Sequence, residues 1–151
     1  MYYRRMAHGT GFLDDYLPYL LRRADQTLSE AFYATLTECG VARSEWRVLA
    51  VLEELGPLSV LDLTEAALSP QPTVTHAVRR LEARGLVTRT AGATDRRQRI
   101  VAVTEEGGAL TRRLISEARR LESAALADLG SLDGLVEPLR RLISSLEGAQ
   151  A

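Results

Sequence analysis

The sequence predicts a mainly α-helical chain with one small β-hairpin, and three observations carry that reading. Apolar residues recur at three- and four-residue spacing along most of the chain, the period of amphipathic helices. Helix punctuation lies between them: Ser44, Ser59 and Ser69 at candidate starts, and Gly40, Gly56-Pro57, Gly85 and Gly130 at candidate ends. One stretch has a β signature: two short β-branched segments, Leu86–Thr90 and Arg99–Thr104, joined by a charged, glycine-containing tip at 92–97. A helix followed by an arginine-tipped hairpin defines a winged helix-turn-helix, here with long helices at both ends of the chain.

Taken in order, residues 1–10 are polar and without period, and are expected to be loose. A long helix is predicted from Phe12 to Leu36, with Leu13, Leu17, Leu20, Ala24, Leu28, Ala31 and Leu36 along its apolar face and Pro18 either in its first turns or kinking it. Ser44 is expected to cap the second helix. Ser59 is expected to cap a short third one, Val60 to Ala67, with Asp62 where a capping-box acid belongs. The fourth helix opens at Ser69-Pro70, buries Val74, Val78 and Leu81, and ends at Gly85. After the hairpin, Glu105 to Leu129 reads as a second long helix with Leu110, Leu114, Ala118, Leu121 and Ala125 in phase. The last segment places Leu132, Leu135, Val136, Leu139, Leu142, Ile143 and Leu146 at the spacing of a heptad seam, which Pro138 should make irregular or kinked at its start. A terminal helix this apolar needs a partner: it could fold back on its own chain, but the long helices at both ends of the sequence suggest an intertwined dimer instead.

Composition bounds the function. At 151 residues the chain suits one domain spanning 1–151, and with 5% aromatics its core must be mostly Leu, Val and Ala. The net charge of −1 argues against a nucleic-acid partner, but its distribution argues the reverse. Between His76 and Arg99 seven arginines face only Glu82 and Asp95, a local balance of +5 that leaves −6 on the remainder. A basic patch on an acidic body is the electrostatic footprint of a phosphate-bearing partner. All 19 basic residues are arginine, whose fork suits phosphate and guanine, although a GC-rich genome produces the same bias. No signal-peptide pattern and no apolar run near the ~20 residues of a membrane span are present, so a cytoplasmic protein without a membrane partner is expected. One Cys excludes an internal disulfide framework. Two distant His and that Cys offer no metal-ligand spacing, and no cofactor motif is found. A small hydrolase or transferase is disfavoured, because no nucleophile elbow, phosphate loop or triad is present.

The run TVTHAVRRLEARGLV from Thr73, the Asp95-Arg96-Arg97 tip, VAVTEEG at Val101–Gly107 and SEWRVLAVLEEL at Ser44–Leu55 resemble the MarR family of bacterial transcription regulators, and the likeness extends from about Leu13 to Leu146. The resemblance implies an intertwined homodimer. Residues of about 12–40 and 105–147 would build the dimer core, and about 44–104 the DNA-binding lobe. It further implies a repressor on a pseudo-palindromic double-stranded operator, released by a small aromatic or phenolic effector. A winged helix can also serve as a protein-interaction module. The arginine-rich recognition face argues against that here, because such a module would carry acidic or apolar groups in place of Thr73, Arg79 and Arg97.

Candidate DNA contacts are Ser59, Ser69, Gln71, Thr73, Thr75, His76, Arg79, Arg80, Arg84, Asp95, Arg96, Arg97 and Arg99. Arg reads guanine, Gln adenine and Thr a thymine methyl in a major groove. A tip arginine suits a narrow minor groove, with Asp95 expected to hold the Arg97 guanidinium. Relatives often carry Arg where His76 stands. Dimer contacts are expected from Leu13, Leu17, Leu20, Leu121 and the seam Leu132–Leu146. Tyr16, Tyr19, Trp46 and Arg47 are candidates for the effector pocket, an Arg beside aromatics suiting an aromatic carboxylate. Cys39 lies at a helix C-terminus, whose dipole disfavours thiolate, so it reads as a small apolar residue rather than a redox sensor.

Overall fold

The computed structural model describes residues 11–127 and 133–149. The elements are α1 (Phe12–Asp15), α2 (Leu17–Glu38), α3 (Arg43–Leu55), β1 (Leu58–Ser59), α4 (Val60–Ala66), α5 (Gln71–Ala83), β2 (Val87–Ala91), β3 (Arg99–Val103), α6 (Glu105–Ala125) and α7 (Asp133–Gly148). The expectation of a winged helix-turn-helix between long helices is borne out, with α4 and α5 as the helix-turn-helix and β2–β3 as the wing. The expectations for residues 1–10, for Leu132 and for a helix end at Gly130 lie outside the described residues.

Several boundaries differ from the sequence reading. The first long helix is broken: Tyr16 adopts an extended conformation (φ −81°, ψ 103°) and α2 restarts behind it with Pro18 in its first turn. Proline lacks an N–H and its ring clashes with the carbonyl four residues back, so a continuous helix through Pro18 is disfavoured. Ser44 is not the cap of α3. Ala42 holds that position, and its N–H donates to Glu45 Oε2 at 2.8 Å. Ser69 is likewise not a cap: α5 starts behind Pro70, and the Ser69 hydroxyl donates to the Ala67 carbonyl at 3.0 Å. Ser59 does cap α4, accepting from the Asp62 N–H at 3.1 Å while its hydroxyl donates to Asp62 Oδ2 at 2.7 Å. Strand β1 was not foreseen. Its two residues carry no alternation of their own and pair only because β3 lies alongside, Leu58 opposite Val101 and Ser59 opposite Ile100. The antiparallel sheet runs β1-β3-β2. Helix α6 ends at Ala125, short of the expected Leu129, and α7 runs as helix from Asp133 to Gly148 with Pro138 inside it.

Two apolar cores result. The first fills the winged lobe with Val48, Leu49, Leu52, Leu63, Val74, Ala77, Val78, Leu81, Leu86, Val87 and Val101. The second, smaller one joins α2, α3 and α6 through Phe32, Leu36, Val41 and Leu114, with Trp46 and Leu121 packed against it. Ala31 and Ala125, read as core positions, are exposed. The lobe is locked to α6 at a backbone joint. Thr104 N–H donates to the Leu86 carbonyl at 3.0 Å, its hydroxyl donates to the Gly85 carbonyl at 2.8 Å, and the same hydroxyl accepts from the Gly107 N–H at 3.0 Å. Gly107 sits so close to β2's entry that a Cβ there would lie 2.0 Å from the Leu86 carbonyl oxygen. Leu13, Leu17, Leu20, Leu135, Leu139, Ile143 and Leu146 are exposed, and Val136 and Leu142 half-buried, so among the described residues the outer faces of the terminal helices are uncovered.

Gly107→Ala is expected to destabilise the protein by about 3 kcal/mol or more, because backbone rather than a mobile side chain opposes the added methyl. Thermal melting followed by circular dichroism reads this, and an unshifted midpoint contradicts the joint. Leu68, in the turn between α4 and α5, has φ +49° and is 88% exposed. Leu68→Gly is therefore expected to raise stability by up to ~1 kcal/mol through relief of the left-handed penalty, measured by urea denaturation. A lowered midpoint denies that strain.

Candidate nucleic-acid interface

Helix α5 is built to show one face and bury the other. Val74, Ala77, Val78 and Leu81 recur at helical spacing and sit in the lobe core, which turns Gln71, Thr73, His76, Arg79 and Arg80 outward, with Thr75 half-exposed. Gly85, at φ +71°, ends the helix in a conformation only glycine adopts freely, and turns the chain into β2. The wing then pairs Val87 with Val103 through Ala91 with Arg99, and projects residues 92–98 beyond the sheet.

The tip is stiffened by its own backbone. Gly92 N–H donates to the Gln98 carbonyl at 3.0 Å, and Gln98 N–H to the Asp95 carbonyl at 3.1 Å. A Cβ on Gly92 would lie 2.6 Å from the Asp95 carbonyl oxygen, so the turn closes only over glycine. The Asp95 carboxylate does not hold the Arg97 guanidinium, as the sequence suggested. It accepts from the Arg97 backbone N–H at 2.9 Å. An Asp side chain reaches the N–H two residues on without ordering anything else, whereas an exposed ion pair must immobilise a long arginine for little gain. The Arg97 guanidinium is consequently left for another ligand.

The arginines divide into two groups. Arg80 Nε lies 2.8 Å from Glu45 Oε1, and Arg84 Nη1 donates to the Gly40 carbonyl at 2.8 Å and lies 3.4 Å from Glu45 Oε2. Arg89 binds Glu82, its Nε donating at 2.8 Å. That guanidinium holds the Glu82 carboxyl below the ordinary glutamate value, and Glu82 in turn raises Arg89. These contacts tie α3 to α5 and α5 to the wing. Arg79, Arg96, Arg97 and Arg99 are exposed, and their guanidinium groups have no side-chain partner among the described residues. Ser59 does not join the exposed set, being buried with its hydroxyl engaged by Asp62. Ser69 is half-buried and accepts from Arg47 Nη1 at 3.3 Å. Glu45 escaped the sequence reading. A Glu in a first helical turn signals only a cap, and its two arginine partners stand 35 and 39 residues further on.

The four effector-pocket candidates do not converge. Tyr16 stacks on Phe12 at 4.6 Å between ring centroids, Tyr19 faces a shallow hollow along α2 with Arg22 and Arg23, and Arg47 turns to Ser69. Successive helix residues point about 100° apart, so Trp46 and Arg47 could not share one target. Trp46 alone lines a hollow of about 210 Å³ between α2, α3 and α6, with Leu28, Ser29, Phe32, Ile115 and Arg119. Its ring meets Phe32 edge-on at 4.9 Å. Arg119 supplies there the cation that Arg47 was expected to bring. Cys39 is half-buried, with its Sγ 4.0 Å from Arg113 Nη2, so it is less enclosed than expected. Groups of three or more His, Cys, Asp or Glu placed to hold a metal are absent among the described residues.

Free guanidinium groups on a rigid helix and hairpin suit a polyanion with grooves. Comparison with known proteins identifies the class to which this interface belongs: residues 40–98 match the MarR family. The chain is 32% identical over 133 residues to the HTH-type transcriptional repressor NicR of Pseudomonas putida, covering 87% of this chain and 84% of that one. A MarR family transcriptional regulator from Silicibacter pomeroyi superposes with TM-score 0.77 at 31% identity, covering 90% of this chain and 98% of that one. NadR, solved in complex with 4-hydroxyphenylacetate, superposes with TM-score 0.76 at 26% identity, covering 93% and 96%. The protein belongs to the MarR family and is a transcriptional regulator.

Arg97→Ala is expected to weaken binding to duplex DNA by about 1–3 kcal/mol and to lower the salt slope by about one unit, with melting unchanged. Fluorescence anisotropy across a salt series measures both, and an unaltered affinity removes Arg97 from the interface.

Proposed function

We propose that the protein is a homodimeric repressor of a pseudo-palindromic double-stranded operator, released by a small aromatic or phenolic acid, and that it works in the cytoplasm. The observation that carries this reading is the set of unpaired arginines, Arg79 on α5 and Arg96, Arg97 and Arg99 on the wing, beside the polar face of Gln71, Thr73, Thr75 and His76. In this reading α5 enters a major groove and the wing tip the adjacent minor groove. Arg80 and Arg84 contribute mainly by orienting α5. Two-fold symmetry places half-sites about 10 bp apart, centre to centre. Among the described residues, no helix is long and apolar enough to cross a membrane.

Two further observations support the assembly and the control. Exposed Leu13, Leu17 and Leu20 at one end of the chain and Leu135, Leu139, Ile143 and Leu146 at the other form apolar faces that a second copy would cover. The hollow beside Trp46 offers an aromatic wall, an apolar floor and two charged residues, Arg119 and Glu122, of which Arg119 would meet the carboxylate of an aromatic acid. That NadR was solved with 4-hydroxyphenylacetate makes this acid the first probe.

The test is selection of duplexes from a random library by the full chain, followed by titration of the selected duplex with and without 4-hydroxyphenylacetate. Enrichment of an inverted repeat, and its release by the acid, are expected. A library that stays unenriched at low salt overturns the DNA reading, and release by no member of an aromatic-acid panel overturns the effector reading. Ile143→Glu, which places a charge in the apolar seam, is expected to yield monomers or aggregates by analytical ultracentrifugation and to abolish operator binding. An intact dimer would exclude α7 from the interface.

A further inference from the structure

Glu45 is a fully buried carboxylate on α3 that the DNA-binding face does not use. Its contacts tie the α2–α3 turn and the first turn of α3 to the C-terminal part of α5. Oε2 accepts from the Ala42 N–H at 2.8 Å and lies 3.4 Å from Arg84 Nη1, while Oε1 lies 2.8 Å from Arg80 Nε. Arg84 also donates to the Gly40 carbonyl at 2.8 Å. The C-terminal turn of α5 is therefore fastened to the α2–α3 turn from both sides, through a backbone carbonyl at Gly40 and a carboxylate at Glu45. The next residue, Trp46, leaves α3 on a different face and forms part of the hollow between α2, α3 and α6. A molecule in that hollow touches α2, α3 and α6 at once. The α2–α3 turn, whose Gly40 carbonyl holds Arg84, links the first two of these helices.

We infer that Glu45 is the positioning residue that carries occupancy of the Trp46 hollow to α5, by holding Arg80 and Arg84 in the orientation that binds DNA. The inference rests on the effector reading above. A buried carboxylate shared by two arginines is suited to this role. The carboxylate is enclosed, and its Oε1, which accepts no hydrogen bond, depends on the charge of the Arg80 guanidinium 2.8 Å away. Because α3 and α5 share one core, a displacement of the α2–α3 turn reaches α5 through Glu45 and the two arginines together. By linkage, whatever the acid does to operator affinity, the operator must do to acid affinity.

The experiment uses Trp46, which is the sole tryptophan of the chain. Intrinsic fluorescence thus reads 4-hydroxyphenylacetate in the hollow directly, while anisotropy of the selected duplex reads α5. In the unaltered protein, saturating acid is expected to raise the operator dissociation constant roughly tenfold. In Glu45→Gln, an isosteric neutral side chain, the acid is expected to bind with its Trp46-reported affinity unchanged, yet to shift operator affinity by less than about twofold. Arg84→Gln, which cuts the same link from a half-exposed position, is expected to behave alike and serves if Glu45→Gln melts below the working temperature. A wild-type ratio retained in a folded variant overturns the inference. So does a ratio that falls only because the acid no longer binds, since Glu45 would then belong to the packing of the hollow. An unaltered protein whose Trp46 ignores the acid, and whose operator affinity ignores it too, overturns the effector reading and this inference with it. Release of the duplex in the unaltered protein but not in the variants supports both.

Discussion

The contact between Gly107 and the Leu86 carbonyl fixes the architecture of the molecule. Helix α6 begins where β3 ends, and at that point it must pass the chain that leaves α5 for β2. It passes at backbone contact, close enough that no side chain fits at residue 107. Thr104 uses the proximity three times, through its N–H to Leu86 and its hydroxyl to Gly85 and Gly107. Recognition helix, wing and long helix thus meet at one joint with no intervening loop. Displacement of α6 reaches both DNA-facing elements directly, because a packed joint has few intermediate positions to absorb it.

The charge pattern acquires meaning once the arginines are sorted by partner. Seven of them in 24 residues look like one patch in the sequence. Three are structural ties: Arg80 and Arg84 to Glu45, Arg89 to Glu82. What remains is one free guanidinium on α5 and three on the wing. The acids that neutralise the structural three also keep the recognition helix and wing from repelling one another. The pair of Arg89 and Glu82 is partly solvent-screened and adds little to stability, yet it ties α5 to the wing. Glu45 differs, since its carboxylate has no water to return to, and removing either arginine leaves it less compensated.

The apolar accounting points outward. The lobe core is complete within one chain, with Val48, Leu49, Leu63, Leu81 and Val101 all fully enclosed. The terminal helices are not complete: Ile143 and Leu146 remain 53% and 56% exposed, and α2 buries only Phe32 and Leu36 near its C-terminal end. A chain arranged this way has a lobe core closed within itself and terminal helices with apolar faces exposed among the described residues. The Trp46 hollow lies on the boundary between the two, lined by α2, α3 and α6.

By itself the sequence determined the helices, the wing and the inward face of α5, because each is written in local periodicity: Val74, Val78 and Leu81 at helical spacing, β-branched residues on both sides of a glycine tip, Gly85 after the last turn. It also determined the exposed set Gln71, Thr73, His76 and Arg79 as the complement of that buried face. Tertiary structure alone decided what needed two distant segments at once. Strand β1 exists because β3 is beside it. Asp95 serves the backbone of Arg97 instead of its guanidinium because the tip closes over Gly92. Arg47 leaves the hollow to Trp46 and Arg119, since a helix sends neighbours in different directions and only packing says which direction is inward. Glu45 is silent in sequence, because the arginines that give it a role arrive 35 and 39 residues later. Periodicity records which face of an element is buried, but it carries no information about what that face meets.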